Sequence, residues 1–267
     1  MSQLRLAGSA CLLLLSSVLG SSCASISDPE AVWPEDSTGQ YQLAVSTGWA
    51  AAQADVELKN GTGPLSNPAL GGNPNGASTT DLEPVFGLGV RLMYYVENNW
   101  AIGTIIEHRI FDPKTTRPLN ADVDIDAFGT DHFIFDVRYV ADPIGQSKRW
   151  RPYVAFQLGY VPGIKADGTV DYGNAFAGIG QPNVMENISL DGDRFFTAGA
   201  LVGASYLLRE GLSLDFALFY EKALEPSSGK LRLNPVPGAP VVGSESTYDG
   251  SLKEEGLYGT IGLSWYF

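Results

Sequence analysis

Residues 256–267 alternate strictly. Leu257, Ile261, Leu263, Trp265 and Phe267 fall on one face, and Tyr258, Thr260, Gly262, Ser264 and Tyr266 on the other. A period of two is the signature of a β-strand, whose successive side chains point to opposite faces. An unbroken apolar face ending on a terminal aromatic suits a strand whose outer side touches lipid and whose inner side lines a barrel. A chain containing such a strand needs partners for both of its edges. The rest of the sequence is therefore read for strands of the same kind.

Seven further alternating segments are predicted, at about 40–58, 84–96, 99–111, 128–141, 149–161, 194–208 and 211–223. Their connections alternate in length. Short turns join the second and third strands (Glu97-Asn98-Asn99), the fourth and fifth (Asp142 to Lys148) and the sixth and seventh (Arg209-Glu210-Gly211). Long Gly-, Pro-, Asn- and Ser-rich segments, 59–83, 112–127, 162–193 and 224–254, join the others and read as surface loops. The expected fold is all-β, an eight-stranded antiparallel up-and-down transmembrane β-barrel over 40–267, with the short turns and both termini on the periplasmic side and the long loops extracellular.

The other end of the chain agrees. Arg5 is the only charge before Asp28, and an apolar core from Leu6 to Leu19 leads to Gly20-Ser21-Ser22-Cys23-Ala24. Residues 1–24 read as a secretory signal peptide, with 25–39 a short tether. Two processing routes stay open. Cleavage after Ala24 leaves a cysteine-free chain, while lipidation of Cys23 makes the protein a lipoprotein. Either way Cys11 is lost and no disulfide forms within one mature chain. The formal net charge of −13 excludes a basic nucleic-acid-binding face. It fits solvated acidic loops.

Two sets of residues give the barrel its character. The inward register carries Arg91, Glu107, Arg109, Asp136, Arg138, Arg151, Asp215 and Glu221, four cations against four anions. The outward register carries Tyr94, Trp100, Tyr139, Trp150, Tyr206, Trp265 and Phe267, all near the short-turn end of their strands. Aromatics at one level mark a membrane–water interface, which favours an outer-membrane barrel over a soluble, lipocalin-like one. An eight-stranded barrel is just wide enough to be filled by side chains. The charges are thus expected to pair as a plug. Inward glycines, Gly87, Gly89, Gly103, Gly159 and Gly262, leave room for a narrow pore as the alternative.

The segment Phe86–Gly103, the Arg151-Pro152-Tyr153-Val154 strand through Tyr160, and the stretch Gly199–Tyr220 resemble the hairpins of OmpW-like and related small outer-membrane barrels. The resemblance spans about residues 40–267. It implies an outer-membrane location in a Gram-negative cell envelope, contact with membrane lipids and lipopolysaccharide, and a terminal Phe267 read by the barrel assembly machinery. It also implies passage of small hydrophobic solutes through a narrow barrel, from which the charged inward face departs.

Catalysis has little to build on. Some barrels of this size modify lipid A and need a histidine beside a serine and a carboxylate. Of the two histidines, His108 falls on the lipid-facing register and is followed by Arg109-Ile110-Phe111, and His132 points inward beside Asp131 with no serine placed next to it. The run Asp122-Val-Asp-Ile-Asp126 resembles a calcium loop, but Ala127 and Phe133 stand where glycine and the closing glutamate belong. Asn60-Gly-Thr62 and Asn187-Ile-Ser189 match glycosylation sequons without chemical consequence in a bacterial chain. The expectation is a non-enzymatic barrel with a structural or surface-interaction role and no cofactor or metal. A narrow channel is the alternative, and a lipid A-modifying enzyme comes third.

Overall fold

The computed structural model of the chain describes residues 30–63, 66–68, 73–117, 121–173, 185–235 and 246–267. The signal segment, Cys23 and the side chain of Phe86 lie outside the described residues. Twelve strands are present: β1 (Tyr41–Thr62), β2 (Gly76–Glu97), β3 (Trp100–Pro113), β4 (Asp122–Ile125), β5 (Phe128–Val140), β6 (Trp150–Val161), β7 (Ile164–Asp171), β8 (Met185–Gly192), β9 (Phe195–Arg209), β10 (Leu212–Ala223), β11 (Ser227–Pro235) and β12 (Ser246–Tyr266). Each pairs antiparallel with its neighbours. The ring β1-β2-β3-β5-β6-β9-β10-β12 closes because β12 also pairs with β1, from Gln42↔Tyr266 to Thr62↔Thr247. The last residue takes part in closure: the Tyr41 amide donates to the Phe267 carbonyl at 2.8 Å, and the Phe267 amide donates to the Tyr41 carbonyl at 3.0 Å. Closure leaves the ring without a free edge, which a lipid environment demands.

The extra four strands correct the expectation of long surface loops. β4, β7, β8 and β11 continue β5, β6, β9 and β10 past short breaks at 126–127, 162–163, 193–194 and 224–226. Above the breaks they pair with one another and with the upper part of β12, in the order β12-β11-β8-β7-β4. The wall thus rises well beyond the eight-strand ring. Asp122–Ile125, the calcium-loop candidate, is strand β4, and Arg117 grips the Asp122 carboxylate through Nε and Nη2.

Polarity inverts along single strands. On β1 the outward Tyr41, Leu43, Val45 and Trp49 are exposed and apolar, and the outward residues that follow are Gln53, Asp55, Glu57 and Lys59. Its inward face changes the other way, from Gln42 and Ala44 to Ala50, Ala52, Ala54 and Leu58. β12 repeats the pattern, with Phe267, Trp265, Ile261 and Leu257 exposed, then Glu255, Lys253 and Asp249 on the same face. An exterior that is apolar for one stretch and charged beyond it matches a lipid band followed by water. Trp100 and Tyr139 (5.3 Å between centroids, edge-on), Trp150 and Tyr206 (4.9 Å, tilted) and Tyr41 and Tyr94 (5.0 Å, tilted) meet in pairs at the short-turn rim, as in an interfacial belt. Among the described residues no helix is long and apolar enough to cross a membrane.

Candidate functional site: the filled interior

Along the inward register of the ring, large side chains are buried from the short-turn rim upward. They fall in successive layers, and the sequence-predicted charges divide among them.

At the short-turn rim the segment before β1 turns into the mouth of the barrel instead of trailing away from it. Ala31, Trp33 and Ser37 are buried. The Trp33 indole Nε1 donates to the Arg149 carbonyl at 2.9 Å and its ring meets Tyr266 edge-on at 5.4 Å. Arg151 belongs to this layer. Its Nη1 donates to Ser37 Oγ at 2.7 Å and its Nη2 to the Asn98 carbonyl at 2.9 Å. The guanidinium also lies 5.7 Å from the Trp33 ring. The expected pairing of Arg151 with interior carboxylates is therefore corrected: it holds the N-terminal segment. A short turn on β2–β3 and a serine in the extension offered it closer oxygens than any strand carboxylate.

The next layer centres on Asp215 (β10). Arg91 Nη2 donates to its Oδ2 at 2.5 Å, Gln42 Nε2 donates to the same oxygen at 3.1 Å, and Ser213 Oγ donates to Oδ1 at 3.2 Å. Ser264 Oγ adds a further contact of 2.5 Å to Oδ2. Beside it Arg138 Nη2 donates to Asp136 Oδ2 at 3.0 Å, which also accepts from Gln157 Nε2 at 2.9 Å. Arg138 stacks on Tyr153 at 4.2 Å. Most of these donors come from different strands, so the layer ties the ring across its lumen. Each carboxylate has a cation and at least one neutral donor, which is what an ion pair withdrawn from water requires.

One layer further, Arg109 bridges two carboxylates, donating through Nη2 to Glu107 at 3.0 Å and to Glu221 at 2.7 Å. Its guanidinium lies 4.4 Å from the Tyr258 ring, a cation–π contact between two buried groups. His132, fully buried, is 2.9 Å from Thr130 Oγ1 through Nε2 and 3.7 Å from Glu221 Oε1 through Nδ1. Tyr258 binds Glu254 through its hydroxyl. The string Thr130–His132–Glu221 has the order of a hydrolytic triad. However, Thr130 and His132 are 3% and 0% exposed, and Glu221 is already taken by Arg109. His108 sits on the outer surface, paired with Asp131 at 2.8 Å.

Beyond these charge layers most inward side chains are apolar. Phe111, Phe128, Val161, Ile164, Phe195 and Leu252 form one cluster. Val123, Val170, Ile188, Leu231, Leu233 and Tyr248 form a second inside β4, β7, β8, β11 and β12. A cavity of about 30 Å³ lined by Val56, Ile125, Ile188 and Leu190 is about the size of one water. The inward glycines expected to leave space are filled by neighbours. A Cβ on Gly103 would lie 2.5 Å from Met93 Sδ, and one on Gly159 2.1 Å from Thr197 Oγ1.

Several layer members carry no signal of their own in the sequence. Gln42, Ser213, Ser264, Gln157 and Glu254 are marked only by their inward register. Trp33, the one aromatic of the 25–39 tether, is the detectable hint of the mouth plug.

The ladder of the wall is interrupted in places, among the described residues, and one interruption lies between β5 and β6–β7. β5 and β6 pair from Phe133↔Tyr160 to Val140↔Tyr153, and β4 and β7 pair from Ile125↔Gly168 upward. Between them 127–132 and 161–166 share no ladder pair. An outer cleft of about 960 Å³ runs along the strand breaks from this gap, bordered by Gly129 and Asp131, by Pro162 and Lys165, and further on by Asp193 and Glu225.

No family model and no curated protein matches the chain at the level of sequence. Solved structures do. The outer membrane protein OprG from Pseudomonas aeruginosa aligns with 90% of this chain and 99% of its own at 14% identity, with a TM-score of 0.52. The Neisserial surface protein A aligns with 86% and 99% at 13% identity and 0.40. The outer membrane protease OmpT from Escherichia coli aligns with 88% and 99% at 9% identity and 0.48. The likeness to OprG shows a shared fold, the outer-membrane type of eight-stranded β-barrel.

Proposed function

We propose that this chain is an integral barrel of the bacterial outer membrane, with periplasmic termini, that does not conduct along its axis and acts as a structural or surface-interaction protein through its tall extracellular extension. The observation that carries this reading is the succession of blocks across one lumen: Trp33 in the mouth, the Asp215 and Arg109 layers, and the apolar fill above. A pore would have to breach all of them. The lipid-facing aromatics Tyr94, Trp100, Tyr139, Trp150, Tyr206 and Trp265 seat the barrel in the inner-leaflet interface. Membrane lipids and lipopolysaccharide are its immediate partners. Phe267, hydrogen-bonded into the closing seam, presents the aromatic terminus to the assembly machinery. The buried His132 string favours structure over catalysis, because no substrate reaches it in the closed barrel.

The unpaired stretch between β5 and β6–β7 favours one second reading, a side passage for small hydrophobic solutes through the wall instead of along the axis. Proteoliposomes separate the readings. The closed barrel predicts no swelling with small sugars and no protein-dependent uptake of apolar solutes. Uptake of apolar solutes alone would select the side passage, and swelling with sugars would defeat both.

A further inference from the structure

The upper wall has a feature that neither reading uses. Glu186, on β8, faces inward and is 4% exposed. It stands opposite Val170 on β7 and Pro235 on β11, in register with Ile188 and Leu190 on the inner face. Its Oε2 has no hydrogen-bond partner among the described residues. Among the described residues the ionisable groups that face it are two phenols, Tyr172 at the end of β7 and Tyr248 on β12. The charged side chains of the surrounding strands point elsewhere. Asp171, Lys230, Arg232, Asp124, Asp249, Glu57 and Lys59 are exposed on the outer face, and Asp122 is held by Arg117. Among the described residues this carboxylate, beside the Val170 and Ile188 side of the apolar cluster and the two phenols, has no cation to offset its loss of hydration. The strands that carry it are also jointed: β7, β8 and β11 are separated from the ring strands below by 162–163, 193–194 and 224–226.

We propose that the β4-β7-β8-β11 wall is a pH-responsive lid, closed while Glu186 is protonated and loosened about the joints when Glu186 ionises. The lid is a two-state element because its inner face is one contiguous apolar cluster that is either packed or open to water. Burial pushes the Glu186 carboxyl up to about 7. Its acid form is therefore favoured in the closed state. The sign follows from linkage: closure gains from protonation fully below the ordinary glutamate range, and the gain is lost as the pH rises through about 7. Between pH 5 and 8 the closing equilibrium should weaken on the order of tenfold to 100-fold. At neutral pH and above, the open form presents the Ile188, Leu231 and Leu233 surface to the medium. The proposal is independent of whether the barrel conducts.

Hydrogen exchange of the full-length protein in lipid nanodiscs tests it. After correction for the intrinsic pH dependence of exchange, protection in β7, β8 and β11 should fall tenfold or more from pH 5 to pH 8. β3, within the membrane band, should stay constant. Glu186→Gln and, separately, Glu186→Leu should hold the lid protected at both pH values. Constant protection in the wild type would overturn the proposal. So would an equal fall in the variants.

Discussion

Arg109→Ala offers a sharp test of the interior layers. The side chain is fully buried and holds Glu107 at 3.0 Å and Glu221 at 2.7 Å while stacking on Tyr258 at 4.4 Å. Among the described residues, truncation removes the one arginine of a layer that contains Glu107, Glu221 and Glu254, and leaves buried carboxylates without it. Breaking one side of a buried pair costs about 3–5 kcal/mol, most of it the isolation of the partner charge. The expected loss is about 4 kcal/mol, a large part of a barrel's reserve. Unfolding by urea in phospholipid vesicles, followed through the five tryptophans, measures it. Arg117→Ala is the control, because its pair with Asp122 is 74% and 46% exposed and its removal should be silent. Adding Glu221→Gln to Arg109→Ala should restore part of the stability, since the second change removes a stranded charge. A loss below about 1 kcal/mol in Arg109→Ala would mean that water already solvates this layer, and the filled-lumen account would fall.

Other expectations follow from single contacts. Trp33→Ala should cost about 3 kcal/mol through lost packing on Tyr266 and the empty mouth it leaves, and limited proteolysis should then cut the 30–38 segment. Arg151→Ala should expose the same segment to protease with little change in the charge layers, because its partners are Ser37 and Asn98. Protection equal to the wild type in both would refute the mouth plug. Gly203→Ala would set a Cβ 2.5 Å from the Phe216 carbonyl and 2.5 Å from the Tyr153 ring. It should destabilise the barrel by about 1–3 kcal/mol and displace the Tyr153 face on which Arg138 stacks, as urea midpoints would register.

The ring was readable in the sequence because lipid imposes a simple rule. Where Leu43, Val45 and Trp49 or Ile261, Leu263 and Trp265 alternate with small and polar residues, the outward face is apolar and the register follows. The upper wall escaped because the rule inverts there. In β11, Leu231 and Leu233 point in while Lys230 and Arg232 point out, and in β7 Ala166 and Val170 alternate with Lys165, Asp167 and Thr169. Such strands are short, half-polar and interrupted by Pro162-Gly163 and Glu225-Pro226, so turn chemistry masked them. The interior charges were legible as a set because inward register is a property of each strand alone. Their grouping was not: which arginine meets which carboxylate depends on ring closure and stagger. Hence Arg151 turns to Ser37 and Asn98 instead of a strand carboxylate, and Gln42 and Ser264, which brace Asp215, carry no signal beyond their inward register. Trp33 lies in a segment with no periodicity, where its contacts with Tyr266, Arg149 and Arg151 reveal its role.

The central claim is that the lumen is closed at several independent levels, and single-channel recording of the full-length protein in planar lipid bilayers tests it most directly. The account predicts a flat baseline for the wild type, and also for Arg109→Ala and for Trp33→Ala, since each opens one block and leaves the others. Reproducible unitary conductance steps in the wild-type protein would contradict it.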